Sequence, residues 1–386
     1  MSEKSIAPPK QDQSMSYDRL DQLVRRFEKI FNLLIPLVAV VVSLLIVSII
    51  VVAQGASPVE AYAALIEGAF GSLYNLTNSL AMATPLILTG LGIALAARCG
   101  IINLGGEGQI VAGGVFATFV GTLPALQGLP APVYVTLCVL AAFLGGVLWA
   151  LIPGYFFAKH GVNFMITTML LNDIANGILS ALVQGPMKEP GKFAPQSAQV
   201  AVNARLPMLI PKSRLHLGFL IAMAVAAVAY VVLFKTSFGH DLRTLGENPT
   251  AARHSGINVF AMQMVIVVIA GGLAGVAGSA EILGSQYRLR SGFLSNYGYE
   301  ALAVAMLGQK HPFGVVVAGI LFGALKAGRG SMSRAADLPT SFSMVLSGVI
   351  IFFVAISPIL MKLPRYLAIR EMNRKSRQPE ASAKAA

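Results

Sequence analysis

The sequence predicts an all-α polytopic membrane protein with about ten transmembrane segments. Three observations predict it. Of its 386 residues 55% are apolar and only 12% charged, where soluble domains sit at roughly 45–50% and about 25%. Runs of about 20 apolar residues recur along the chain, each long enough to cross a bilayer as a helix. Mean hydropathy is +0.71, and of the 29 Lys and Arg residues 19 fall on the side of the termini and 10 on the other, the asymmetry that orients membrane helices. The net charge of +12 therefore reads as orientation rather than as a nucleic-acid patch.

Taken in order, residues 1–16 are polar, and residues 17–31 alternate Tyr17, Leu20, Leu23, Val24, Phe27, Ile30 and Phe31 with Arg19, Arg25, Arg26 and Lys29. That spacing predicts an amphipathic helix on the cytoplasmic surface, or equally a basic flank that orients the first span. Residues 1–32 thus form a cytoplasmic N-terminal segment; no cleavable signal peptide is expected there. Spans are placed at 33–53, 80–98, 101–122, 133–158, 163–184, 215–234, 259–283, 299–310, 313–327 and 340–361, giving a transmembrane domain over 33–361. The segments 299–310 and 313–327 are individually short, so they are either re-entrant half-helices or two tilted spans. The tail, 362–386, carries seven Lys/Arg and joins the N-terminus in the cytoplasm.

Two outer loops are long. One is 54–79; the other, 185–214, has five prolines and the charges of Lys188, Glu189, Lys192, Arg205, Lys212 and Arg214, which makes it either a docking surface or a plain connector. Inside, residues 235–258 form a polar island between two spans. It reads as a turn at Glu247-Asn248-Pro249, one or two helical turns over small Ala251 and Ala252, and a helix stop at Gly256.

A faint internal echo pairs Asn103-Leu104-Gly105-Gly106-Glu107 with Asn296-Tyr297-Gly298-Tyr299-Glu300, each before a small-residue segment. A pseudo-two-fold repeat with sites at broken helices is a transporter pattern. A carboxylate deep in a bilayer costs on the order of 3 kcal/mol, so Glu107, Asp173, Glu281 and Glu300 each need a reason. With Asn103, Gln109, Asn172 and Asn176 they either line a path for a polar solute or hydrogen-bond between packed helices. Gly105-Gly106, Gly113-Gly114, Gly145-Gly146 and Gly271-Gly272 mark close helix packing.

Other chemistries are missing from the sequence. It has no G-x-x-x-x-G-K-[ST] phosphate loop, no H-E-x-x-H and no G-x-S-x-G, its five histidines are scattered, and Cys99 and Cys138 form no metal spacing.

The loop Gly246-Glu247-Asn248-Pro249-Thr250-Ala251-Ala252-Arg253-His254-Ser255-Gly256-Ile257-Asn258 resembles the cytoplasmic coupling loop of ABC-importer permeases. Ile101-Ile102-Asn103-Leu104-Gly105-Gly106-Glu107-Gly108-Gln109 looks like the signature of the nucleoside branch of the branched-chain amino acid, ribose and nucleoside permeases. Thr167-Thr168-Met169-Leu170-Leu171-Asn172 is similar to a further family segment, where the next residue is often aromatic and is here Asp173. The resemblance covers most of residues 80–360. It implies an ATP-driven importer in a bacterial inner membrane, with this chain as the transport subunit and no catalytic residue, metal or cofactor of its own. The implied partners are an ATP-binding subunit that uses the ATP, a second permease, identical or paralogous, and an extracytoplasmic solute-binding protein, all in membrane lipid and without nucleic acid. Gly246, Glu247, Asn248, Ala251, Ala252 and Gly256 would make the coupling contact. Asn103, Glu107, Gln109, Asn172, Asp173 and Glu300 would serve the translocation path for nucleosides or similar polar solutes. The principal rival is an ion-coupled secondary transporter using Glu107, Asp173 or Glu300; an intramembrane enzyme on lipid and an inert scaffold are weaker ones.

Overall fold

The computed structural model describes residues 38–337, 339 and 342–360; the amphipathic helix expected at 17–31 and the basic tail at 362–386 lie outside the described residues. The chain divides into two units, residues 1–49 with 345–386, and residues 50–344. In the first unit, helix α1 (Val38–Ala53) contributes its residues to Ile49 and α13 (Phe342–Leu360) its residues from Val345. Ser43 is buried there and its hydroxyl donates to the Ala39 carbonyl, 2.7 Å, so a polar side chain in an apolar helix satisfies itself within the same turn.

The second unit holds eleven α-helices among the described residues. They are α2 (Pro58–Phe70), α3 (Leu73–Arg98), α4 (Gly106–Gly121), α5 (Ala131–His160), α6 (Phe164–Gln184), α7 (Gly218–Lys235), α8 (Ser237–Glu247), α9 (Pro249–His254), α10 (Val259–Glu281), α11 (Tyr297–Leu307) and α12 (Pro312–Ala335). The protein is all-α. Six described helices are long and apolar enough to cross a membrane, namely α3, α5, α6, α7, α10 continued to Gln286, and α12.

The expected count of ten is thus not reached by length. Expected spans 101–122 and 299–310 became α4 and α11, of 16 and 11 residues. At 1.5 Å per residue they reach about 24 and about 16 Å, short of the roughly 30 Å hydrocarbon core. Helix α11 is thus short of a span, whereas its neighbour α12 has 24 residues, long enough to cross, and runs on through Arg329 and Arg334. The segment 54–79, expected as an outer loop, is largely helical too. Ser57 and Pro58 start α2, and Ser72 caps α3 by accepting from the Asn75 N–H at 3.1 Å.

Helix α3 is the centre. Eighteen consecutive-turn positions from Thr77 to Ala97 are buried, and it packs against α10, α11, α12 and α7. Glycine makes a close seam between α5 and α10. A Cβ on Gly146 would run into the Gly271 carbonyl, and one on Gly275 into that of Ala142. Backbones can approach this closely only where the residues at the contact are small, here glycine against glycine or alanine.

The proline-rich 185–214 connection is tied to its own chain. Ser197 N–H donates to Leu289 O and Val200 N–H to Tyr287 O, each 2.9 Å, and Arg288 pairs with Glu189 at 3.2 Å. Where that connection ends, His216 is buried, its Nδ1 accepts from the Gly218 N–H at 3.2 Å, and burial pushes its pKa down to about 4.

Candidate translocation seam and coupling element

The two echoing segments meet. Gly106, first residue of α4, lies against Thr89 of α3 and the Cα of Gly298, while a Cβ on Gly298 would overlap the backbone of Glu107. Glycine is required at 298 by that approach. The N-termini of two short helices are thereby brought face to face beside Thr89, nine residues before the end of α3 or about 13 Å along its axis.

Glu107 joins them. Its Oε1 accepts from the Asn296 N–H and its Oε2 from the Gly298 N–H, each at 2.8 Å. These are two of the four donors that a helix start leaves without an intrahelical partner. A carboxylate there is also favoured by the helix dipole, which accounts for a glutamate only 5% exposed in an apolar setting. On the other side, Asn172 of α6 accepts from the Gly108 N–H at 2.9 Å, which covers one first-turn donor of α4. The Asn172 amide donates to Leu104 O, 2.9 Å, and to the Tyr299 hydroxyl, 3.2 Å. Asn103 Nδ2 donates to Gln109 Oε1 at 3.0 Å, and Asn103 Oδ1 accepts from the Gly105 N–H at 2.9 Å, pinning the turn into α4.

The second glutamate of the echo is used differently. Glu300 is buried and accepts from Lys326 of α12 at 2.5 Å, and the same ammonium lies 3.7 Å from the centre of the Tyr297 ring. A buried charge must be paired, and here the pair ties α11 to α12. Sequence reasoning missed Lys326 and Tyr297. A signal existed, a lysine inside the expected span 313–327, but spacing along the chain does not reveal a partner 26 residues away.

Of the six expected path residues, the structure brings Asn103, Glu107, Gln109, Asn172 and Glu300 into this one buried seam. Asp173 stands apart. One residue after Asn172 on α6, it is turned about 100° round the helix and is exposed. It shares that flank with half-buried Asn176 and with Ser180, whose hydroxyl meets that of Ser291 at 3.0 Å. Glu281, at the end of α10, is half-buried and accepts from Gln286 at 3.0 Å.

The polar island 235–258, expected as a turn followed by one or two helical turns, is a pair of helices, α8 and α9. Thr236 caps α8 by accepting from the Gly239 N–H, 3.2 Å, and Leu242 and Leu245 are buried beneath it. The buried stripe of α8 is only these two leucines and Gly239, too little for an apolar period to show in the sequence. Asn248 then caps α9, accepting from the Thr250 and Ala251 N–H groups at 3.0 and 3.1 Å, with Pro249 in the first turn. Gly256 has φ +82, and Gly256 and Ile257 donate to the Arg253 and Ala252 carbonyls, each 3.0 Å; a left-handed glycine ends the helix as expected. Glu247, Asn248, Ala251 and Gly256 are exposed, Ala252 is buried, and Gly246 is half-buried. A cleft of about 370 Å³ opens beside α9, lined by Phe238, Asp241, Gly256, Asn258, Met262 and Val265.

Comparison with known proteins follows the same boundaries. The family described as branched-chain amino acid transport system / permease component matches residues 75–355. The chain is 34% identical to the guanosine ABC transporter permease protein of Bacillus subtilis, over 86% of this chain and 95% of that one. It is also 34% identical to the glucose ABC transporter permease protein of Haloferax volcanii, over 83% and 87%. With the nucleoside ABC transporter permease protein of Lactococcus lactis it shares 30% identity over 88% and 95%.

Proposed function

Because this chain belongs to the branched-chain amino acid transport system / permease component family, we propose that, as the permease subunit of an ABC importer, it carries nucleosides or chemically similar polar solutes. The observation behind the solute class is the similarity to guanosine and nucleoside permeases over nearly their whole length. ABC permeases are powered by a separate ATP-binding subunit and supplied by a solute-binding protein, and both are partners of this reading, with a second permease, identical or paralogous, completing the path. The relatives are ABC transporter permeases, so the ion-coupled alternative has no support beside them.

The chain is placed in a bacterial inner membrane with both termini cytoplasmic, following the Lys/Arg bias. That orientation puts α8–α9 on the side of the ATPase. Exposed Glu247, Asn248, Ala251 and Gly256 would touch it, while Gly246 and Ala252 set the seat from behind. The geometry supporting a path is the seam of Asn103, Glu107, Gln109, Asn172 and Glu300, in which two helix starts meet inside the helix bundle, as in carriers built from broken helices. Exposed Asp173 supplies an acceptor on the flank of α6. No cofactor or metal is assigned to the chain, which serves transport rather than catalysis; ATP is consumed by the partner.

The test is reconstitution of this chain with its ATP-binding subunit and binding protein in liposomes. ATP-dependent accumulation of labelled guanosine or adenosine, blocked by unlabelled nucleoside but not by glucose, is expected. Accumulation of glucose without nucleoside would overturn the solute class, and uptake by the chain alone under an ion gradient would overturn the mechanism.

A further inference from the structure

At the far end of α11 from the Glu107 clasp, four elements converge on one side chain. Arg98 closes α3, and its Nε donates to Lys310 O at 3.1 Å and its Nη2 to Gln309 O at 3.3 Å. Those carbonyls belong to the turn that ends α11, where Gln309 and Lys310 take φ of +54 and +55 in succession, and Lys310 N–H returns to Ala305 O at 2.9 Å. Two adjacent non-glycine residues in the left-handed region cost energy and persist only where surroundings hold them. The Arg98 fork is such a hold. Its guanidinium also lies 5.9 Å from the Phe234 ring of α7, and Arg243 of α8 approaches the same ring at 5.4 Å while donating to Leu233 O at 2.8 Å.

The coupling element reaches this point directly. Gly246, in the last turn of α8, packs on the backbone of Arg98 and Gly100, and a Cβ there would overlap the Arg98 carbonyl. Displacement of α8 cannot be absorbed by a side chain at that contact, because there is none. It bears on the end of α3, from which the Arg98 guanidinium grips the end of α11. Helix α11 is a rod of about 16 Å, and its other end carries the two N–H groups held by Glu107.

We propose that Arg98 is a positioning residue that passes movement of α8–α9 to α11 and so to the seam at Glu107. The inference rests on the reading of α8–α9 as the contact with the ATPase. It assigns transmission to a residue whose contacts are with α7, α8 and the end of α11.

The test uses the complete reconstituted transporter and records nucleoside uptake and ATP hydrolysis in the same liposomes for wild type, Arg98→Lys and Arg98→Gln. Coupling along such contacts amounts to about 0.5–2 kcal/mol, so uptake per ATP should fall by about 2- to 30-fold in Arg98→Gln. Lysine keeps the charge but presents a single point donor in place of a fork, so Arg98→Lys should recover part of the ratio. The ATPase should still co-purify with both. A merely structural role would lower the amount of transporter without changing the ratio. An unchanged ratio overturns the inference, and if Arg98→Gln does not accumulate, the ratio in Arg98→Lys decides alone. A wild-type complex that hydrolyses ATP without any uptake would instead overturn the coupling reading, and this inference with it.

Discussion

Replacing Glu107 by glutamine tests the clasp with the smallest change of shape. The carboxylate holds two backbone N–H groups, one on each oxygen, both at 2.8 Å. An amide keeps one acceptor and turns an NH2 donor toward the other N–H. One charge-assisted hydrogen bond, worth about 1.5–3 kcal/mol, is lost, and a buried donor is left unmet at about 1–3 kcal/mol. The negative charge at the start of α11 goes with it, a further loss of about 0.3–1 kcal/mol. Burying a neutral amide is cheaper than burying a carboxylate, which offsets part of the sum. The expected net destabilisation is roughly 2–4 kcal/mol, read as the shift in a denaturant unfolding transition of the detergent-solubilised protein. Asp173→Asn, at an exposed site one residue from Asn172, is the control and should stay within about 0.5 kcal/mol. If Glu107→Gln unfolds within about 1 kcal/mol of wild type, the level of ordinary substitutions, the two helix starts are held by something other than this side chain.

Lys326→Met should cost about 3–5 kcal/mol by leaving Glu300 buried without a partner; adding Glu300→Gln should restore part of it, and a cycle with no coupling between the two would refute the pairing. Gly256→Val meets no atom within 4 Å yet must adopt φ +82, at a strain of about 1–2 kcal/mol; membrane levels should hold while uptake per ATP falls. His216 titrates near 4 in the folded protein against a usual 6.5, so below about 6.5 the unfolded state binds the proton first. Stability is then full above that pH and declines by about 1.4 kcal/mol per pH unit down to about 4, and a slope unchanged in His216→Asn would exclude this histidine as its source.

The fold class was legible because lipid-facing composition repeats along the chain, and α9 because Asn248, Pro249 and Gly256 are local signals for its start and stop. The seam was legible only as a set of polar residues in apolar company. Sequence spacing named Glu107 and Glu300 but could not assign one to backbone donors and the other to Lys326, since both partners come from distant elements. Helix α2 escaped because 13 residues with Glu60 and Glu67 fit neither a span nor a turn pattern. The short length of α4 escaped for a different reason. Residues 101–105 are as apolar as the helix they lead into, and the turn that delays α4 is pinned by Asn103, whose side chain accepts from the Gly105 N–H and reaches Gln109.

The same hydrogen bonds that fix the seam also leave it chemically quiet. Glu107, Asn172 and Asn103 already have their oxygens on backbone donors of their own chain, and Glu300 is neutralised by an ammonium. If the proposed path runs along this seam, a solute would meet side chains that are buried and already engaged within the chain. Conduction needs sites weak enough to leave, and on the proposed reading such a seam would favour low-affinity passage with little discrimination between cargoes. Choosing among them then falls to the step that delivers the cargo.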